Sequence, residues 1–240
     1  MVSSQEKASG GAQKLRRVLS LTSFKDIRNA FSSMGYSMGS PDFPRVTLLI
    51  LAMNIIINIA ELVNPPLKHH FGLIPQEVSR IRNLHTLLSA MYLHADIFHL
   101  LSNMFVLIVI GSECERAIGS LHFLLLYHLS GIGGNLLHTL IFSNSLVVTL
   151  GASGGIFGLI AVFGILFPTR PVVAFYFFLP IMMPAFLWAL FYFLFEIFYQ
   201  LIGGAFFIAH MAHIGGFLTG VSYGLYLKRQ RYRKYWFSAY

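Results

Sequence analysis

Two short segments of this chain carry the residue types of a nucleophilic hydrolase. Ser153 lies in Gly151-Ala152-Ser153-Gly154-Gly155, where an apolar stretch begins. Sixty residues on, His213 lies in Ala212-His213-Ile214-Gly215-Gly216, at the head of another apolar stretch. A serine hydroxyl becomes a nucleophile when a base takes its proton and when donors face the oxyanion that develops. Ser153 opens a helix in this reading, where unpaired backbone N–H groups and the positive dipole end favour an anion. Polar and ionisable residues at membrane depth are expensive, so they are functional candidates by default. The chemistry expected of this pair is hydrolysis within a lipid bilayer.

The surroundings of each residue suit close approach. Gly154, Gly155 and Gly158 follow Ser153 and allow another helix backbone to come near. On the partner stretch, Gly220 and Gly224 fall within about 20° of the His213 direction, and Gly216 about 60° away. His213 thus crowns a seam of small residues and is the expected base. His210 points about 60° off that direction and is expected as a supporting or water-contacting residue. A further stretch supplies His99 and Asn103, four residues apart and so on one helical face. Both can donate hydrogen bonds, and a tetrahedral oxyanion is a suitable partner for them. His94 precedes them in Leu93-His94-Ala95-Asp96.

The elements that must position these residues are membrane spans. The 240 residues are 56% hydrophobic and 11% charged, whereas a soluble domain carries about 25% charged residues. A soluble protein of this size could not bury so much apolar surface. Six apolar stretches approach the roughly 20 residues that a spanning helix needs: about 46–63, 97–113, 121–142, 150–167, 183–201 and 208–227. Long continuous runs of this kind exclude an outer-membrane barrel, and the expected class is an all-α integral membrane protein. Pro65-Pro66 stops the first span, and residues 64–93 are expected to form a loop at the membrane edge with short re-entrant or interfacial helices. The single cysteine, Cys114, excludes an intrachain disulfide.

Six spans put both termini on one side. Fourteen of the seventeen Lys and Arg residues then share that side, against Lys68, Arg80 and Arg82 on the other. The positive-inside rule makes the termini cytosolic, with residues 1–45 a basic N-terminal region, 46–227 the membrane domain and 228–240 a basic tail. The formal charge of +8 is thereby assigned to topology and contact with anionic lipid rather than to nucleic acid. The same orientation brings Ser153 and His213 to one depth, near the outer face.

With these residues in place, the chain resembles the rhomboid intramembrane serine proteases across roughly residues 46–227. The motifs are His94-x4-His99-x3-Asn103, Glu115-x3-Gly119, Gly131-x2-Gly134-Asn135, Gly151-Ala152-Ser153-Gly154 and Ala212-His213-x2-Gly216-x3-Gly220. The resemblance implies a six-helix bundle and a Ser153–His213 dyad with no acid. It also implies an oxyanion site from His99, Asn103 and the Ser153 backbone N–H, supported by His94, His210, Gly151, Gly154, Gly216 and Gly220. The implied substrates are single-span membrane proteins, with no metal or organic cofactor. Where the family usually carries Trp-Arg in its first loop, this chain reads His85-Thr86. The family's mitochondrial branch usually has an extra span ahead of the core, and none precedes Val46; the expected address is the plasma membrane or secretory pathway.

Two rivals follow from the same residues. A non-cleaving rhomboid-like protein would bind client spans, but such proteins lose the serine or histidine. A metal or proton transporter could use His94, His99, His210 and His213, which leaves Ser153 without a role. The aromatic fifth span, with Trp188, Tyr192 and Phe195 among others, is expected either to face lipid or to act as a lateral gate. Glu196, in the same span, has no role that the residues alone assign.

Overall fold

The structure is a computed structural model that describes residues 43–176, 179–203 and 209–237. The chain divides at Phe43, and the membrane domain from Pro44 onward is one unit. Most of the expected basic N-terminal region, residues 1–42, lies outside the described residues.

The long helices are α1 (Arg45–Val63), α2 (Ile97–Ile118), α3 (Ser120–Ile141), α4 (Ser153–Leu166), α5 (Ala185–Leu201) and α6 (His210–Phe237). Three of them, α1, α2 and α3, are long and apolar enough to cross a membrane; α4 and α5 are shorter apolar helices. Their outward side chains include Ile56, Leu62, Phe98, Leu140 and Leu201, all more than half exposed. An apolar belt of this kind belongs against lipid, and the protein is a helical membrane protein, with one hairpin among the described residues.

That hairpin departs from the sequence expectation. Strands β1 (Pro171–Tyr176) and β2 (Leu179–Pro184) pair antiparallel, with Pro171 opposite Pro184 and Val172 opposite Met183. The span expected from residue 183 therefore starts as helix only at Ala185, after Pro184 with its extended ψ of 142°. At the other end of the chain, α6 runs past Leu227 to Phe237. The loop after α1 holds the short helices Leu67–Phe71, Pro75–Ser79 and Thr86–Ser89 and a 3₁₀ turn at Ala90–Tyr92.

Helix α4 is the centre of the bundle. Every residue from Gly154 to Gly164 is buried, and α4 packs chiefly against α6 and α3. Glycine sets the separation. A Cβ on Gly216 would meet the backbone of Gly154, within 2.8 Å of its carbonyl carbon, and one on Gly220 would come within 2.6 Å of the Gly158 Cα. The seams expected on the two stretches are thus one interface, in which backbone lies on backbone. Among the aromatics of α5, Trp188 is buried while Phe186, Phe191, Phe195 and Phe198 are exposed.

Two further contacts hold the frame. The buried Glu115 carboxylate accepts from Val46 N–H (3.0 Å), Thr47 N–H (2.8 Å), Thr47 Oγ1 (2.8 Å) and Ser120 Oγ (2.6 Å). A carboxylate is stabilised at helix N-termini, and this one serves α1 and α3 together. Gly119, with φ 81°, makes the single-residue turn between α2 and α3. On the opposite end, Leu73 and Thr149 exchange backbone hydrogen bonds (2.9 and 2.8 Å), and Gly151 N–H donates to Ala90 O (2.9 Å). These bonds fasten the chain ahead of Ser153 to the first loop.

Candidate active site

Ser153 is the first residue of α4, and His213 lies in the first turn of α6. The glycine contact between these helices brings His213 Nε2 to 2.8 Å from Ser153 Oγ. A hydrogen bond of this length is what proton transfer from the hydroxyl requires. Since Nε2 accepts the hydroxyl hydrogen, a neutral His213 carries its own proton on Nδ1. The imidazole lies flat on Phe157, with centroids 4.4 Å apart and planes at 9°. Phe157 follows Ser153 by four residues and so shares its face of α4. That spacing was visible in the sequence, although the stacking partner was not sought there.

The rest of the site has one feature that the sequence reading did not place. Glu196, buried on α5, brings Oε2 to 2.6 Å from His210 Nδ1 and 3.0 Å from His213 Nδ1. The first contact is a hydrogen bond. The second is close but poorly aligned, and His213 Nδ1 has no hydrogen-bond acceptor among the described residues. The resemblance implied a dyad with no acid; here a carboxylate stands beside the imidazole. The same three side chains form a His–His–Glu set whose donor atoms lie within 4.8 Å. The transporter reading lacked such a carboxylate. A tetrahedral ion about 2.0–2.1 Å from each donor would require donor separations of roughly 3.3 Å, wider than the 2.6 and 3.0 Å found. Those contacts suit a shared proton better than an ion.

His99 and Asn103 share one face near the start of α2, and both line the cavity that holds Ser153 and His213. The Asp96 carboxylate caps this helix by accepting from His99 N–H at 2.9 Å, and that bond holds its carboxyl below the usual carboxylate range. The Asn103 amide donates to His99 O at 2.8 Å, so in this state it is turned to its own helix. His94 is fully buried beside His99, edge to face with centroids 5.1 Å apart. Burial drives its pKa down to about 3, so it packs as a neutral ring.

Gly151 carries a φ of 135°, a conformation that side chains rarely adopt. A Cβ there would lie 2.8 Å from His99 Cε1, 3.0 Å from His99 Nε2 and 3.5 Å from Ser153 Oγ. Gly151 therefore sits between the Ser153 hydroxyl and the His99 ring. Gly151→Ala is expected to lower the rate of serine labelling by a fluorophosphonate about a hundredfold, since misplacement by ~1 Å costs that much. An unchanged rate would mean that the loop gives way freely.

The cavity measures about 820 Å³ and also reaches His138, Phe142 and Gln200. His138 Nε2 lies 3.0 Å from Thr149 Oγ1. The sequence reading did not single out His138; its signal was an ionisable residue in an apolar span. Of the sequence-predicted residues, Ser153, His213, His99, Asn103 and His210 line this one cavity. His94 stands behind His99, Gly151 beside the serine, and Gly154, Gly216 and Gly220 in the helix seam.

Comparison with known proteins agrees with the motifs. Residues 82–230 match the Rhomboid domain family. The chain is 37% identical over 146 residues to "RHOMBOID-like protein 6, mitochondrial" of Arabidopsis thaliana, covering 60% of this chain and 44% of that protein. It is 42% identical over 94 residues to "Rhomboid-like protease 1" of Toxoplasma gondii, covering 39% and 31%. It is 31% identical over 162 residues to "Rhomboid protein 1, mitochondrial" of Saccharomyces cerevisiae, covering 62% and 44%. The matched stretch is less than half the length of each of these relatives.

Proposed function

We propose that this chain, which belongs to the rhomboid family, is an intramembrane serine endopeptidase that cuts single-span membrane proteins in or near the bilayer. The observation that carries the reading is the 2.8 Å contact between Ser153 Oγ and His213 Nε2 at the floor of a cavity. His213 takes the hydroxyl proton as Oγ bonds to the peptide carbonyl carbon. The oxyanion is met by the first-turn N–H groups of α4 and by His99, with Asn103 turning from its helix to join them. His213 returns the proton to the leaving amine, and the acyl-enzyme is hydrolysed with His213 again the base.

In this reading all six long helices cross the membrane, and α4 is shielded from lipid by its neighbours. The termini lie on the cytosolic side, where the basic ends meet anionic lipid. Our reading keeps the plasma membrane or secretory pathway as the address. Two relatives have mitochondrial names, so imaging of a tagged chain against a mitochondrial marker decides the address; co-localisation there would replace ours.

The reading is tested by co-expression with a panel of tagged single-span proteins, wild type against His213→Ala, with the cut site sequenced. Cleavage by wild type alone is expected. Binding of the panel without cleavage, together with no labelling by a serine-reactive fluorophosphonate, would favour a non-cleaving client binder.

A further inference from the structure

We infer that Glu196 is a positioning residue for this reaction: its carboxylate holds the Nδ1 side of His213, and His210 holds the carboxylate. The inference rests on the serine–histidine reading above.

A buried charge inside a membrane domain is costly. Glu196 is buried on α5 of a membrane protein, and an anion there persists only with partners. Its described partners are the two imidazoles of α6, at 2.6 and 3.0 Å. From the other direction, His213 needs an acceptor. With Nε2 turned to Ser153, Nδ1 keeps its hydrogen, and no aligned acceptor meets it among the described residues. The nearest is Glu196 Oε2, and a small rotation of ring or carboxylate aligns the pair. Catalytic hydrogen bonds are often loose before substrate binds and tighten afterwards.

Charge makes the same point. His213 faces Ser153 and Phe157 from α4, Glu196 from α5 and His210 from its own helix. His99 of α2 and His138 of α3 line the same cavity. Among these groups only Glu196 is an anion. When the Ser153 proton moves to Nε2 and the Oγ–carbon bond forms, His213 gains a positive charge. Glu196 balances that charge while the Nδ1 proton stays where it is. His210, at 2.6 Å, keeps the carboxylate from swinging away.

The test is the rate at which a fluorophosphonate labels the full-length protein in detergent, measured across pH. Ser153→Ala should not label; labelling that survives it would remove the serine reading itself. Given that control, Glu196→Gln should label about tenfold more slowly at neutral pH. Its acidic limb should move to lower pH, because loss of the anion makes the imidazolium easier to deprotonate. Glu196→Asp should return the limb towards wild type. Glutamine keeps the volume and the hydrogen-bonding oxygen, so a merely structural role would not move the limb. Glu196→Gln with the wild-type plateau and limb would overturn the inference and leave the serine reading intact. Should the glutamine variant not survive purification, the wild type decides: a downfield Nδ1–H proton resonance that disappears in His213→Ala supports the inference, and its absence overturns it.

Discussion

Ser153→Ala is expected to reduce cleavage of a single-span reporter by at least about a thousandfold, with expression and melting in detergent unchanged. The hydroxyl is the atom that would bond to the substrate carbonyl, so its removal leaves only what binding and oxyanion donors contribute. Ser153 is partly exposed to the cavity, and loss of its oxygen leaves no buried donor stranded. The folded state should therefore hardly notice. His213→Ala should match this loss, whereas His210→Ala should weaken cleavage without ending it. Full cleavage by Ser153→Ala would dismiss the serine mechanism. Loss with His210→Ala and activity with His213→Ala would exchange the roles of the two histidines.

Gly216→Ala is expected to cost about a hundredfold in rate, by a different route. The added methyl would meet the Gly154 carbonyl group, which is backbone and cannot rotate away. Helix α6 must then move off α4, carrying His213 from Ser153. Overpacking of this kind costs ~1–3 kcal/mol of stability, and a shift of ~1 Å at the reacting atoms costs about a hundredfold in rate. Gly131→Ala is the control. Its methyl would meet the flexible end of Met91, which can turn aside, so a much smaller loss is expected. Equal rates of fluorophosphonate labelling for the two variants would show that the seam does not set the serine–histidine distance.

Much of the site was legible because it rests on local rules. Apolar length marked the stretches that became the long helices, and 100° spacing aligned His213 with the glycines that meet α4. The same spacing placed His99 beside Asn103. The contacts of Glu196 obey no such rule. They depend on how far α5 leans over the start of α6, and nothing periodic in either helix encodes that tilt. The readable sign was a carboxylate inside an apolar span, noticed without a partner to give it. No element was expected at residues 168–182; the prolines at 171, 180 and 184 were the signal against helix. The direction of the Asn103 amide was beyond sequence, since the helix carbonyl at 2.8 Å competes with any oxyanion for it.

The paired bonds of Leu73 with Thr149, and of Gly151 with Ala90, have a mechanical consequence. They rivet the approach to Ser153 onto the first loop, so that flank of the mouth behaves as a fixed jaw. Under the proposed function, a polypeptide reaching the cavity would therefore meet a Ser153 that the first loop holds still.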